Sequence, residues 1–292
     1  MDDSHFREAV TAIDAGDVAA LERLLAQHPE LVRDRLASPG PWLRDQVGRA
    51  LNGFFKKPYL LWFVAEDPGR NGKLPRNIAE VTRTIIQAAR RGGVRTLQKQ
   101  LDYALRLVAW SGVAADCGVQ IELIDALVDA GATPDGAPDD ALVNGHVAAA
   151  EHLVTRGAPL TLATALALGR WDEVSRLAES TSAREKQSGF VLAALRGNAE
   201  ALSRLLALGV DVNLPSKDLY SHATPLHHAV CSGSLDAVKV LVEAGARLST
   251  RDKAEKATPL GWAEYYLETN GRGERARRYA EIAAYLRDKS TG

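Results

Sequence analysis

The sequence predicts an all-α chain in which pairs of short helices stack into a solenoid. Three observations lead to this prediction. Apolar residues recur at helical spacing in segments of about ten residues. Glycines end many of these segments and let the chain reverse, as at Gly145, Gly169, Gly197 and Gly233. One segment, residues 224–229, also carries a specific pattern for the start of a helix.

The segment 224–229 reads TPLHHA and predicts the first helix of such a pair. Thr224 is a good N-cap, and Pro225 suits the first helical position because its missing N–H costs nothing there. The apolar residues that follow fall on one face of the helix, which Gly233 ends. A second helix with the same apolar spacing follows and is closed by Gly245.

The pattern TPLHHA matches the T-P-L-H-x-A signature of the ankyrin repeat, so the chain resembles the ankyrin repeat family. Residues 258–263, TPLGWA, repeat the pattern 34 residues later with Gly261 in place of the histidine. The resemblance implies a single solenoid over residues 1–292, with about eight helix pairs and an irregular N-terminal half. The most family-like repeats and a C-terminal cap are expected at 224–292.

The spacing of the glycines departs from the family pattern in the middle of the chain. Gly145, Gly169 and Gly197 are 24 and 28 residues apart, whereas the family period is about 33 residues. Two helices fit in that length, but the β-turn finger that projects between repeats does not. We therefore expect stunted fingers near residues 135–185.

Several segments are predicted to be insertions. Residues 37–57 and 66–76 are expected to be irregular, and the second contains a dense run of Pro, Gly and Asn turn signals. Residues 111–118 and 268–273 lengthen two further helix pairs. Either these loops elaborate the edge opposite the fingers, or they have drifted in length because loops tolerate insertion at little cost.

The composition is that of a folded chain, since 46% of the 292 residues are hydrophobic and 25% are charged. No apolar run approaches the roughly 18 residues that span a bilayer. The acidic start at Met1-Asp2-Asp3-Ser4 is unlike a signal peptide. We therefore expect a cytoplasmic protein.

The formal net charge of −1 argues against a dedicated nucleic-acid binder, which needs excess Lys and Arg to neutralise phosphates. We expect another protein as the partner, no contact with nucleic acid or membrane, and a monomeric chain. Arg83, Arg90, Arg91 and Arg95 form a cluster with few acidic neighbours. This cluster is either a solvated helix face or a contact for an anionic partner.

Residues that carry catalysis or bind metals are sparse. Cys117 and Cys231 stand far apart without a Cys-x-x-Cys, so the sequence indicates neither a zinc site nor a disulfide. Phosphate-loop, zinc-protease and nucleophile-elbow motifs are missing from it as well. We therefore expect no catalytic residue, no cofactor and no metal, and hence no enzyme.

Three histidines, His222, His227 and His228, form the densest polar group. The resemblance implies that His227 is structural and bonds to the backbone of the neighbouring loop. The alternative function is a small-ligand site or weak hydrolytic activity around His222 and His228, which would require a carboxylate beside one of them. The aspartates nearby in the sequence are Asp211, Asp218 and Asp252.

Five aromatic side chains lie close together in the N-terminal third. Tyr59, Trp62 and Phe63 have helical spacing, which favours a buried helix face over a binding site. Phe54 and Phe55 fall in a predicted finger. If they are exposed there, they would act as anchors at an interface.

Ankyrin repeat proteins bind partners with the finger tips and the exposed side of the first helix in each pair. The resemblance therefore implies a protein–protein interaction module, an adaptor or regulator, that binds through a concave face of fingers and inner helices. Tyr220, Arg196, Tyr265 and Tyr266 are of the types that carry interface energy, although one of the last two could instead be buried against Tyr279. The residues implied at this face are Arg184, Glu185, Gln187, Leu195, Arg196, Tyr220, Ser221, Ala223, Cys231, Ser232, Glu255, Ala257, Tyr265 and Tyr266.

Overall fold

The computed structural model describes residues 3–291, so Met1 and Asp2 of the acidic start and Gly292 lie outside the described residues. The described residues form eighteen α-helices and two 3-10 helices, without a β-strand. The prediction of an all-α chain is confirmed. The chain divides into two compact units, Met1–Pro159 and Leu160–Gly292, which are described separately.

The first unit contains ten α-helices and both 3-10 helices of the described residues. They are α1 (Asp3–Ala15), α2 (Val18–Gln27), α3 (Glu30–Arg33), α4 (Pro41–Val47), the 3-10 helices Gly48–Asn52 and Leu60–Ala65, α5 (Ile78–Arg91), α6 (Leu97–Trp110), α7 (Gly112–Asp116), α8 (Gln120–Asp129), α9 (Ala137–Val143) and α10 (Val147–Thr155). Helix α4 and the first 3-10 helix lie inside the predicted insertion 37–57, and α7 lies inside the predicted insertion 111–118.

The helices of the first unit stack in two rows. In the row of first helices, α1, the 3-10 helix Leu60–Ala65, α6 and α9 contact one another in that order. In the row of second helices, α2, α5, α8 and α10 do the same. A 3-10 helix with all six residues buried therefore takes the place of the first helix in one pair.

The aromatic run lies mostly in the core of this unit. Tyr59, Trp62 and Phe63 are buried, which confirms their prediction as core residues. Phe55 is also buried, with its ring centroid 5.1 Å from that of Phe63. Only Phe54, which is 51% exposed, remains available as a surface aromatic.

The predicted insertion 66–76 is a loop that folds around one buried carboxylate. Glu66 accepts hydrogen bonds from the backbone N–H of Arg70 at 2.7 Å, of Gly72 at 3.2 Å and of Asn71. The buried guanidinium of Arg70 pairs with Glu66 and with Asp14, each at 2.7 Å. Charge and hydrogen bonding thus order this loop, because such polar groups are costly when buried without partners.

Asp67 is an unfavourable charge next to this network. Burial, together with the negative charge of Glu66, raises the pKa of Asp67 to about 6. Within residues 3–291 its carboxylate makes no ion pair and accepts no hydrogen bond. An unfolded Asp has a pKa of about 3.9, so ionising Asp67 costs more free energy in the folded protein than in the unfolded one. Ionisation of Asp67 therefore lowers the free energy of unfolding as the pH rises through 4 to 6.

We therefore expect Asp67→Asn to raise the free energy of unfolding at pH 7.5 by about 1–2 kcal/mol, discounted for partial exposure of the group. The gain should vanish near pH 4, where Asp67 is also neutral. Urea unfolding of the full chain at both pH values measures this. Asp45→Asn, at an exposed position of α4, is the control, and an equal gain at both pH values would contradict the interpretation.

The second unit contains four helix pairs. They are α11 (Leu162–Ala167) with α12 (Trp171–Ser180), α13 (Ala183–Leu195) with α14 (Ala199–Ala207), α15 (Pro225–Ser232) with α16 (Leu235–Glu243), and α17 (Pro259–Thr269) with α18 (Glu274–Thr291). The first helices α11, α13, α15 and α17 contact one another in that order, and so do the second helices α14, α16 and α18.

The TPLHHA segment starts α15 as predicted. Thr224 is the N-cap in an extended conformation, and Pro225 is the first helical residue. Gly233 ends the helix with a φ of 73°, a left-handed conformation that is strained for residues with a Cβ. In α17 the Thr258 hydroxyl accepts a hydrogen bond from the N–H of Gly261 at 3.1 Å.

The connections between helix pairs in this unit differ in length as the glycine spacing predicts. Only residues 181–182 join α12 to α13, so the stunted finger expected there is confirmed. The connections at 208–224 and 244–258 are long, and we call them the first finger and the second finger. In the predicted insertion 268–273, α17 continues to Thr269 and leaves residues 270–273 as the loop.

Leu241 of α16 is fully buried in the core of the second unit. We expect Leu241→Ala to lower the free energy of unfolding by about 2–5 kcal/mol, because it removes apolar contacts and leaves a cavity. Leu208→Ala is the matched control, since Leu208 is 41% exposed. Urea unfolding followed by circular dichroism measures both, and equal losses would contradict the assignment of Leu241 to the core.

Candidate protein-binding site

The fourteen residues predicted at the binding face all lie in the second unit, on α13, α15 and α17 or in the connections before them, except Arg196, which directly follows α13. Their exposure divides them into three groups. The exposed ones are Arg184, Glu185, Arg196, Tyr220, Ser221, Glu255 and Tyr265, the half-buried ones are Leu195, Cys231, Ser232, Ala257 and Tyr266, and the buried ones are Gln187 and Ala223.

The side chain of Gln187 forms hydrogen bonds with the backbone of the first finger. Its side-chain amide donates to the backbone carbonyls of Asp211, at 3.1 Å, and Leu214. The side chain of Gln187 is only 6% exposed. Ala223 is likewise only 1% exposed. Both positions therefore shape the face without offering a side chain to a partner.

A second set of bonds ties α13 to the first finger. Arg184 forms an ion pair with Asp218, and Ser188 donates to the same carboxylate at 3.0 Å. Hydrogen bonds from Arg184 and Ser188 lower the pKa of Asp218 to about 2. The buried hydroxyl of Ser216 accepts the N–H of Asp218 and of Leu219 at 3.0 and 3.1 Å. The first finger is thus held both by bonds from α13 and by bonds within the finger itself.

The second finger folds around Asp252, which is 2% exposed. Its carboxylate accepts the backbone N–H of Ala254, Glu255 and Ala257 at 2.7–2.9 Å and the indole N–H of Trp262 at 3.1 Å. Burial acts to raise the pKa of Asp252, but these hydrogen bonds outweigh it and hold the pKa at about 2. The charge of Asp252 organises backbone donors that have no strand to pair with.

His227 connects α15 to the second finger. Its Nε2 donates to the carbonyl of Ala257 at 3.1 Å, and its Nδ1 accepts from the Thr224 hydroxyl at 2.7 Å. The structural role predicted for His227 is confirmed. His228 is also buried, and burial lowers its pKa to about 4, so its ring is neutral at physiological pH.

Aromatic rings form the floor and rim of the face. Trp262 lies with its ring centroid 5.1 Å from that of His227 and 6.3 Å from that of Tyr266. Tyr266 stacks on Tyr279 at 5.1 Å, which confirms that one of the two adjacent tyrosines packs inward. Tyr265, by contrast, is 61% exposed.

Tyr220 completes the rim from the first finger. It is 42% exposed, and its ring centroid lies 5.9 Å from that of His228. Its backbone has a φ of 44°, which is uncommon for a residue with a side chain. The role of Trp262 as the centre of this group was missed from the sequence, although it stands at the variable position of the second signature.

The arrangement required for the hydrolytic alternative is not formed among the described residues. Asp252 bonds to the second finger and Trp262, Asp218 to Arg184 and Ser188, and Asp211 to the N–H of Asn213. Among the described residues, neither His222 nor His228 donates a hydrogen bond to any of these carboxylates.

In the first unit, His5, His28 and Glu30 have ligand atoms within 4.8 Å of one another, a grouping that sequence reasoning did not single out. The rings of His5 and His28 are stacked at 3.7 Å with an interplanar angle of 25°. Imidazole lone pairs lie in the ring plane, so nearly parallel rings direct them side by side rather than toward one ion. The geometry is that of ring stacking.

Comparisons with known proteins agree with this fold. The family model described as "Ankyrin repeats (3 copies)" matches residues 141–252. Human cyclin-dependent kinase inhibitor 2A is 32% identical over 134 residues, which cover 42% of this chain and 85% of that protein. The chain belongs to the ankyrin repeat family. Among residues 3–291 of this ankyrin repeat protein, no helix combines the length and apolarity needed to traverse a bilayer.

Two further similarities are more limited. The potassium channel GORK from Arabidopsis thaliana is 40% identical over 58 residues, which are 20% of this ankyrin repeat protein and 7% of the channel. The chain thus spans only a small part of that relative. The crystal structure of the human ASB11 ankyrin repeat domain has 17% sequence identity and a TM-score of 0.34, over 70% of this chain and 94% of that one.

We expect Asp252→Asn to lower the free energy of unfolding at pH 7 by about 1–3 kcal/mol, because the amide leaves donors of the second finger without an acceptor. The folded pKa of about 2 lies below the unfolded value of about 3.9. The stabilisation by Asp252 is therefore complete above pH 4 and lost as the pH falls toward 2.

The difference between wild type and Asp252→Asn should accordingly shrink between pH 4 and pH 2 in urea unfolding experiments. Asp236→Asn, at an exposed position of α16, is the matched control. A difference in the free energy of unfolding between wild type and Asp252→Asn that is independent of pH would contradict the role assigned to the carboxylate.

Proposed function

We propose that this ankyrin repeat protein is a non-enzymatic adaptor or regulator that binds a partner protein through the fingers and first helices of its second unit. Ankyrin repeats are in general protein–protein interaction modules. The proposal goes further and names a specific binding face. It also holds that residues 1–292 form one continuous stack, and that the protein is monomeric and cytoplasmic.

The observation that carries the proposal is the contrast between exposed aromatic side chains and their rigid base. Tyr220 and Tyr265 are exposed, while the connections and helices beneath them are tied by buried groups such as Gln187, His227 and Asp252. Large exposed side chains on a preorganised surface lose little conformational entropy on binding, and tyrosine and arginine are the usual anchors of interfaces.

The proposed contact set is the predicted one without the two buried positions. Arg196, Tyr220 and Tyr265 are the proposed anchors, and Ser221 and Glu255 the polar rim. Arg184 and Glu185 are exposed but engaged, with Asp218 and with Ser182 respectively. The half-buried positions contribute their accessible edges, namely Leu195, Cys231, Ser232, Ala257 and Tyr266.

A regulatory role is compatible with the named relatives. The human relative is named as an inhibitor of a cyclin-dependent kinase, and inhibition of another protein by binding needs no catalytic group in the inhibitor. We propose the same general mode here, in which occupying a partner's surface is the whole activity.

The test is a pull-down from source-cell lysate with wild type and the Tyr220→Ala/Arg196→Ala double variant. We expect a partner retained by wild type and lost from the variant, because the two substitutions remove both kinds of anchor. The control is Arg204→Ala/Leu208→Ala, whose residues lie on or next to the second helix α14. Circular dichroism must show that all three proteins are folded.

The proposed binding face would be refuted if Tyr220→Ala/Arg196→Ala still retained the partner. It would also be refuted if both double variants lost the partner. A purified wild-type chain that hydrolyses ester or phosphate substrates would contradict the non-enzymatic assignment instead. The two parts of the proposal therefore fail separately.

A further inference from the structure

The first unit contains a groove, of about 790 Å³, beside the buried 3-10 helix Leu60–Ala65 and α6. We call it the basic groove. It is formed where the chain before the 3-10 helix meets α6 and the connection that precedes α6. Five basic side chains line it, namely Arg35, Lys56, Arg95, Lys99 and Arg106.

Most of this positive charge is uncompensated. Arg106 pairs with Asp140 at 2.6 Å. Within residues 3–291, the other four basic side chains of the basic groove form no ion pair with a carboxylate. Asp102 is the one acidic residue in the described lining, and its carboxylate already accepts hydrogen bonds from Gln98 and from the N–H of Thr133, each at 2.8 Å.

The cations are placed by different means. Arg35 is half-buried, with its guanidinium 4.6 Å from the ring centroid of Tyr59, and it donates to the carbonyls of Lys56 and Lys57 at 3.3 Å. Its side chain is therefore fixed before any ligand arrives. Arg95 lies in the turn before α6 and Lys99 in the first turn of α6, and both side chains are exposed and line the basic groove.

The aromatic wall of the basic groove contains a buried donor without an acceptor. Trp62 is 4% exposed and lies 4.4 Å, between ring centroids, from Tyr103. In the described part of the chain its indole Nε1–H has no hydrogen-bond partner. An unsatisfied buried donor costs about 1–3 kcal/mol, so the wall of the basic groove is a strained part of the first unit as it stands.

We propose that the basic groove binds an acidic segment of a partner protein, with anionic side-chain oxygens held between Arg35, Arg95 and Lys99 against the Trp62 wall. The cations without carboxylate partners in the described part of the chain select a ligand that carries acceptor oxygens. The 51% exposed ring of Phe54 adds an apolar contact at the rim.

A peptide suits this site better than a nucleic acid. The positive charge is confined to one groove in a chain whose formal net charge is −1, whereas nucleic-acid affinity grows with the number of phosphates neutralised. The arginine cluster inferred from the sequence is also divided. Arg95 lines the basic groove, while Arg83 and Arg91 lie exposed on α5, outside its lining.

The test measures fluorescence anisotropy of labelled ten-residue probes with the full-length protein. The probes are a Glu-rich peptide, the same peptide with phosphoserine in place of alternate Glu, the same peptide with Gln in place of Glu, and oligo-dT of equal length. We expect the two acidic peptides to bind and the Gln peptide not to bind. Affinity should fall as salt rises, because salt screens exposed charges.

Arg95→Gln/Lys99→Gln should weaken binding of the acidic peptides about fivefold, since two exposed charge contacts are lost. The matched control, Arg83→Gln/Arg91→Gln, changes the net charge equally on α5 and should shift the affinity less than about twofold. Whether the Glu-rich or the phosphorylated peptide binds more tightly identifies which anion the basic groove prefers, and either order supports the proposal.

Four results would overturn the proposal. They are an equal loss of affinity in the matched control, tighter binding of oligo-dT than of the acidic peptides, binding of the Gln peptide as strong as that of the Glu-rich one, and no binding of an acidic peptide at about 1 mM, a concentration that detects even weak interactions. The proposal does not rest on the face of the second unit. Loss of peptide binding in Tyr220→Ala/Arg196→Ala but not in Arg95→Gln/Lys99→Gln would assign the peptide to that face and refute the basic groove.

Discussion

The structure depends on satisfying the backbone groups of the connections between helices, since residues 3–291 contain no β-strand. Helices satisfy their own N–H and C=O groups, but the segments between helix pairs cannot, and a buried unpaired group costs about 1–3 kcal/mol. Buried polar side chains solve this at successive points along the chain. Glu66 binds three backbone N–H groups, Gln100 donates to the carbonyl of Val32, and Asp252 binds three more N–H groups. These three buried side chains each fix the backbone of a segment that no neighbouring helix bond satisfies.

This device links folding to binding. A finger tied by Gln187 or Asp252 holds its backbone in one arrangement, so exposed residues on it, such as Tyr220, are presented at fixed positions. Binding then requires less ordering of the free protein, and more of the contact energy appears as affinity. His227 serves both purposes, since it caps the entry to α15 and anchors the second finger through Ala257.

The two units carry surfaces of different chemistry on the same structural plan. In the second unit, the exposed aromatic residues Tyr220 and Tyr265 lie on the first finger and on α17, and the nearby Arg184 is paired with Asp218. In the first unit, one groove contains four cations that have no carboxylate partner within residues 3–291, and the indole N–H of Trp62 beside it has no acceptor there either. The stacked helix pairs set the positions, and the side chains at a few of them decide what kind of partner fits.

The sequence by itself determined the helix pairs, their ends and the ankyrin repeat assignment, because N-caps, glycine ends and apolar spacing are local features that act within one or two helical turns. It also placed Tyr59, Trp62 and Phe63 in the core. Only the tertiary structure decided that Leu60–Ala65 forms a 3-10 helix, that Gln187 and Ala223 are buried, and that residues as distant in sequence as 35 and 99 line one groove. These depend on which segments pack together, and packing between segments far apart in the chain is set by their complementary shapes and charges rather than by any pattern of neighbouring residues.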